Sequence, residues 1–249
     1  RKTRHTLLWL AAVVLVAVAS IWLTYSQRGG GSQAVRTIAV LPFKPLVAAN
    51  RDESLELGMA DTLIMHLGSA RQIAVRPLSS VRRYGSLDQD PLAAGKALGV
   101  QAVLDGSIQR SGDMLRISAR LMSVPDGEQL WADRFDERFT DLFTVQDTIA
   151  ERVANALTVE LTNAERRLVS QRFTKDVEAY ELYIAGRFHW NKRSAPSLRQ
   201  AIPFFERALK RDPDFALAYA ALADCHAVLA IFGVEAPNAA FPRARAAAL

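Results

Sequence analysis

The chain has 249 residues, 50% of them hydrophobic and 23% charged, which excludes a disordered polymer and leaves room for one or two domains and an anchor. The formal charge of +5 comes from Lys and Arg interleaved with Asp and Glu, the pattern of a solvated surface rather than a nucleic-acid stripe. A single cysteine, Cys225, excludes an intrachain disulfide, and its helical, apolar neighbourhood suits a small buried side chain rather than a nucleophile.

The chain begins with Arg1, so an upstream portion is expected. Residues 7–25 read LLWLAAVVLVAVASIWLTY, without a charge. At about 1.5 Å per residue this run is about 28 Å long, the hydrocarbon thickness of a bilayer. Trp9, Trp22 and Tyr25 fall where amphipathic rings favour the headgroup zone. A signal peptide has a shorter apolar core, and the one A-x-A pattern, at Ala17 and Ala19, lies inside the run. Arg1, Lys2 and Arg4 precede the span and only Arg28 closely follows it, which places the amino end in the cytoplasm and the bulk outside. Residues 1–28 are thus expected to be a transmembrane anchor with a basic cytoplasmic flank, and residues 29–35 a flexible Gly/Ser linker. The expected topology is a single crossing of a membrane, with the bulk outside the cytoplasm.

Residues 36–172 alternate strand and helix signals. Residues 37–43 are a buried strand ended by proline. Residues 54–70 carry Leu55, Met59, Leu63 and Leu67 at helical spacing, with His66 beside the stripe as a surface or satisfied histidine. A second strand covers 73–77 and a short helix 91–98. Period-two patterning then predicts three antiparallel strands, from 101, 115 and 128, separated by Ser-Gly-Asp and Pro-Asp-Gly turns, with one wet face. In the first of them Asp105 falls on the polar side. A long amphipathic helix is expected over 141–171. The fold class is α+β.

The runs IAVLPF (38–43), LGMADTLIMHL (57–67), VRPLSS (75–80), LGVQAVLDGSIQRSGDMLRISARL (98–121) and LWADRFDERFTDLF (130–143) resemble a TolB-amino-terminal-like or FlgO-like domain. That resemblance implies an α/β sandwich just outside the membrane. It does not imply colicin import, since nothing in the sequence repeats like propeller blades.

Residues 177–249 have another pattern. Ala201, Phe205, Ala208 and Pro213 stand at spacings of four, three and five, the second-helix signature of a tetratricopeptide repeat. Leu182, Tyr183 and Gly186 supply a first helix, with an insertion near 191–196. Tyr219, Leu222 and Ala223 fall at the next first helix. Phe205 and Tyr219 are expected to fill the groove between helices. The second repeat looks interrupted at 232–238 and truncated, with 242–249 starting its last helix. Such repeats bind peptides or protein partners on a concave face of first helices. Here that face would hold Glu181, Arg187, Trp190 and Tyr219, since Arg and aromatic residues are favoured anchors. Simple packing of Trp190 beneath the insertion is the other reading.

No catalytic, cofactor or metal constellation is legible. His5, His66, His189 and His226 lack metal spacing. Gly95-Lys96-Ala97 is no P-loop. The pair Asp133 and Asp136 is too common a pattern to mean an acid–base site. The order of anchor, TolB-like domain and repeats resembles the carboxyl-terminal part of a membrane-integrated regulator with a CadC-type, OmpR-like winged helix upstream. The resemblance implies a non-catalytic sensing and protein-interaction region, held in a bacterial inner (cytoplasmic) membrane by a single span with its bulk periplasmic. DNA would be contacted only through that missing upstream domain. The same region in a membrane adenylate cyclase or protein kinase, or an envelope scaffold, is the alternative. Homo-oligomerisation stays open.

Overall fold

The computed structural model describes residues 35–157, 162–169 and 173–248. The expected membrane span and, but for Val35, its Gly/Ser linker lie outside these residues. Among those described, no helix is long and apolar enough to cross a membrane.

The chain enters through β1 (Thr37–Val40), whose last three residues are buried, and a two-residue strand β2 (Lys44–Pro45). Helix α1 (Glu53–Gly68) starts where the Asp52 carboxylate accepts the Leu55 N–H at 3.0 Å, a side-chain cap for an otherwise orphaned donor. The short β3 (Ala74–Val75) returns beside β1 in parallel. After helices α2 (Leu78–Val81) and α3 (Pro91–Leu98) come three ten-residue strands, β4 (Ala102–Ser111), β5 (Met114–Ser123) and β6 (Gln129–Arg138).

The sheet order is β3-β1-β4-β5-β6, with β2 also pairing β4. The meander β4-β5-β6 is antiparallel, as expected. The pairs of β4 with β1 and β2, and of β1 with β3, are parallel. Helix α4 (Leu142–Ala156) packs on β5 and β6, and α1 packs beside it on β1, β3 and β4. Leu104, Ile117 and Leu121 are almost fully buried, as alternate positions of paired strands facing one helical layer should be. Helix α3 lies on the opposite side, against Val103 and Val124. The rest of that side is the wet face, with Arg116, Arg120, Arg134 and Asp136 about half exposed.

In the α+β layer three expectations change. The helix expected over 141–171 is two helices, α4 and α5 (Asn163–Val169). Asp105, expected in solvent, is 5% exposed, because Arg120 directly opposite on β5 caps it with bonds of 2.7 and 3.0 Å. His66 is 3% exposed and is not satisfied, since neither ring nitrogen has a hydrogen-bond partner.

The remaining helices are α6 (Val177–Asn191), α7 (Ala195–Arg211), α8 (Ala216–Ile231) and α9 (Pro237–Ala248). They pack consecutively, α6 on α7, α7 on α8, and α8 on α9. There is no insertion at 191–196. Lys192, Arg193 and Ser194 form a tight turn with Arg193 at φ 52°, and Ser194 caps α7. The last helix begins at Pro237 rather than near Pro242. Between α6 and α7 the packing is close, since a Cβ on Gly186 would meet the Phe205 ring at 2.5 Å. The groove is filled by Tyr183, Phe205 and Phe215. Tyr219 is 37% exposed and does not fill it. Val35 to Leu249 make one compact unit with a continuous apolar core through sheet and helices.

Candidate functional site

Helix α6 lies on α1, and the joint between them gathers several buried polar groups, Asp61, Thr62, His66 and Gln146 among them. On α1, Gly58 leaves room for the close approach, because a Cβ there would stand 2.8 Å from the Ile184 side chain. One turn on, Asp61 receives the Arg187 guanidinium through two bonds, Nε to Oδ2 at 2.7 Å and Nη2 to Oδ1 at 3.2 Å. The two side chains are 7% and 17% exposed. A bidentate, desolvated pair of this kind fixes geometry more than it adds net stability. Next, Thr62 Oγ1 and Tyr180 Oη are 2.6 Å apart, and Gln146 on α4 donates to the same Oη at 2.8 Å. Burial pushes the Tyr180 phenol up to about 12, so it acts as a neutral hydrogen-bond hub.

One further turn along α1 brings His66. Its Nδ1 stands 3.7 Å from Asp147 Oδ1 on α4, beyond hydrogen-bond reach, and its ring lies 5.1 Å from the Phe173 ring. Burial lowers its pKa to about 4. An aromatic file then carries the contact on through α6 towards α7 and α8. Phe143 meets Tyr180 edge-on at 5.0 Å, Tyr180 stands 6.5 Å from Tyr183, and Tyr183 packs on Phe215 at 5.0 Å. Next to Tyr180 on α6, Glu181 pairs with Arg110 of β4, whose guanidinium lies 3.7 Å over the Phe139 ring.

The residues singled out in the sequence are thus divided. Arg187 is turned into the joint and held by Asp61. Trp190 packs partly buried between two guanidinium groups, 4.6 Å from Arg187 and 3.6 Å from Arg193. Tyr219 lies on α8, on the exposed surface. Leu182, Ala201, Phe205 and Ala208 are buried, Leu222 half-buried and Pro213 exposed just after α7. The acid pair separates, Asp133 pairing with Arg152 on the helix-covered side and Asp136 with Arg116 and Arg134 on the wet side. Cys225 is buried, its thiol pushed up to about 12 by burial. Among the described residues no three His, Cys, Asp or Glu side chains gather as metal ligands would.

Asp61, Thr62, Gln146 and Tyr180 were missed in the sequence. Their signal was faint. In α1 the polar residues sit between the stripe positions and read as a solvent face, whereas that face lies against a second helical layer.

No protein-family model matches the chain. It is 32% identical over 186 residues, 75% of its length, to "Putative adenylate cyclase 3" from Rhizobium meliloti (strain 1021), of which it spans 32%. Among solved structures, TolB from Acinetobacter baumannii aligns at a TM-score of 0.38 and 15% identity, over 50% of this chain and 28% of that one. A lipoprotein from Neisseria meningitidis aligns at 0.34 and 18%, over 48% and 99%. The carboxyl-terminal domain of LpoB from Salmonella enterica aligns at 0.31 and 16%, over 44% and 87%.

Proposed function

We propose that this chain is the non-catalytic sensing and protein-interaction region of a membrane-anchored signalling protein, held outside the cytoplasm by residues 7–25. The observation that carries this reading is the joint. A helical-repeat layer is latched to an α+β layer through Asp61–Arg187, Thr62–Tyr180–Gln146 and Arg110–Glu181, polar contacts that can be remade in a second arrangement. A signal needs two arrangements with different affinity for the stimulus, and a wholly apolar joint would offer no such choice of partners. The repeats would capture a protein or peptide on the surface around Tyr219, with Trp190 at its rim and Arg187 reporting the event to α1.

Two output modules fit. The family resemblance favours a winged-helix, DNA-binding domain upstream. The 32% identity to a relative named as an adenylate cyclase, of which this chain spans about a third, favours a cyclase domain instead. In both, the region described here does no chemistry and touches no DNA. The deciding experiment is to introduce Arg187→Ala into the intact gene and follow cyclic AMP and the transcriptome. The cyclase reading predicts altered cyclic AMP, and the regulator reading predicts altered transcripts at constant cyclic AMP. Neither change, with the protein folded and at normal abundance, would sink the sensing role of the joint.

A further inference from the structure

We propose that the cavity between the start of α1 and the β4–β5 hairpin binds a small zwitterion bearing a carboxylate and an ammonium, of the amino-acid or short-peptide class. The cavity is about 540 Å³ and is lined by Arg51, Leu55, Glu56, Gln109 and Arg110, among others, a size common for small-ligand sites. A second cavity of about 440 Å³ adjoins it through the shared residues Arg51 and Glu56.

The chemistry follows from what is unfinished there. Glu56 is 3% exposed. Its Oε2 takes a bond of 3.2 Å from Arg51 Nε, while its Oε1 is buried without any partner. A buried carboxylate oxygen left unpaired costs free energy, and burial raises the pKa of the group accordingly. Because the last torsion of a glutamate is soft, a small turn presents Oε1 to a donor arriving in either cavity. Asp52 is already committed to capping α1, and Glu53, which lines only the second cavity, is an exposed carboxylate 3.6 Å from Arg51 Nε. Glu56 lines both cavities and holds the buried, unpartnered oxygen, which makes it the acceptor for an ammonium.

Two arginines supply the opposite charge. Each guanidinium carries five donors. Arg51 uses Nε for Glu56 and Nη2 for the Gly85 carbonyl. Arg110 uses Nε for the Gly112 carbonyl and Nη1 for Glu181. The side chains are 38% and 37% exposed, so both can meet a carboxylate in the cavity in the planar, paired fashion that guanidinium favours.

Arg110 gives the site a consequence. Its partner Glu181 is on α6, so a ligand carboxylate that engages Arg110 competes with the contact tying the repeats to the sheet. The site names the stimulus for the sensing role above, and rests on that reading only for this coupling.

The test is calorimetric titration of the 249-residue chain in detergent with tri-alanine and L-alanine. Tri-alanine acetylated at its amino end and tri-alanine amide each lack one charge and serve as controls. The expected result is binding of at least one free-ended probe, with both capped forms weakened on the order of tenfold or more. Glu56→Gln and Arg110→Gln, folded by circular dichroism, lose a similar factor. Absence of binding by both free-ended probes at 10 mM (roughly the weakest affinity worth seeking), equal binding of the capped forms, or an unaltered Glu56→Gln chain overturns the site. Glu181→Gln separates site from signal. Freed from its competitor, Arg110 binds the free-ended probe several-fold more tightly. An unchanged affinity in Glu181→Gln, with the site otherwise intact, refutes the coupling and with it this route to sensing.

Discussion

Asp61 and Arg187 illustrate how a side chain's worth depends on what is left behind when it goes. Replacing Asp61 by Ala strands a guanidinium that is 17% exposed, at an expected cost of about 3–5 kcal/mol. The double replacement Asp61→Leu with Arg187→Met removes both charges together and should recover most of that loss. Chemical denaturation of the two variants measures the difference, and equal destabilisation would mean the pair is not desolvated as described. His66 makes a prediction of opposite character. Its ordinary pKa of 6.5 falls to about 4 in the folded chain, so the unfolded chain takes up a proton first as the pH drops. The stability from keeping it neutral is complete above about pH 6.5 and is lost as the pH falls from there towards 4, by up to roughly 3 kcal/mol. The melting temperature of the native chain should therefore decline across that window more steeply than that of His66→Leu, and parallel curves would contradict it. His66 could not be placed from sequence, because a histidine flanking an apolar stripe looks the same whether water or a second helix covers it.

At the scale of elements, much was legible wherever a period repeats long enough to be read. The meander from Ala102 to Arg138 is written in alternation and turn residues, and α1 in its four-residue stripe. The parallel half of the sheet was not legible, since β2 and β3 are two residues long and their pairing is set by the helix between β1 and β3 rather than by their own sequence. The end of α4 was hidden because the apolar pattern runs on past Ala156. In the α6–α7 hairpin, Gly186 is an element-level requirement. It lets α6 and α7 approach until Phe205 occupies the space a side chain would need. Gly186→Ala should raise local helix propensity yet destabilise the fold by about 1–3 kcal/mol through overpacking. A neutral or stabilising effect in a melting experiment would show that the hairpin can open to accommodate a methyl group.

Taken whole, residues 35–249 behave in this account as one cooperative body whose two layers share α1 and α6. The sequence pointed to two modules with a boundary between residues 172 and 177, and could not indicate that they share a core, because contacts between distant segments leave no local period. The partner surface sought on the first helices of the repeats illustrates the same limit. Arg187 has the chemistry of an interface anchor, and in this structure the partner it anchors to is the chain's own α1. The most direct test of the joint is amide hydrogen exchange on the 249-residue chain, native and Arg187→Ala. Protection is expected to fall together in α1 and α6 while β4, β5 and β6 keep theirs. Faster exchange confined to α6, with α1 as protected as in the native chain, would contradict a joint that couples the two layers.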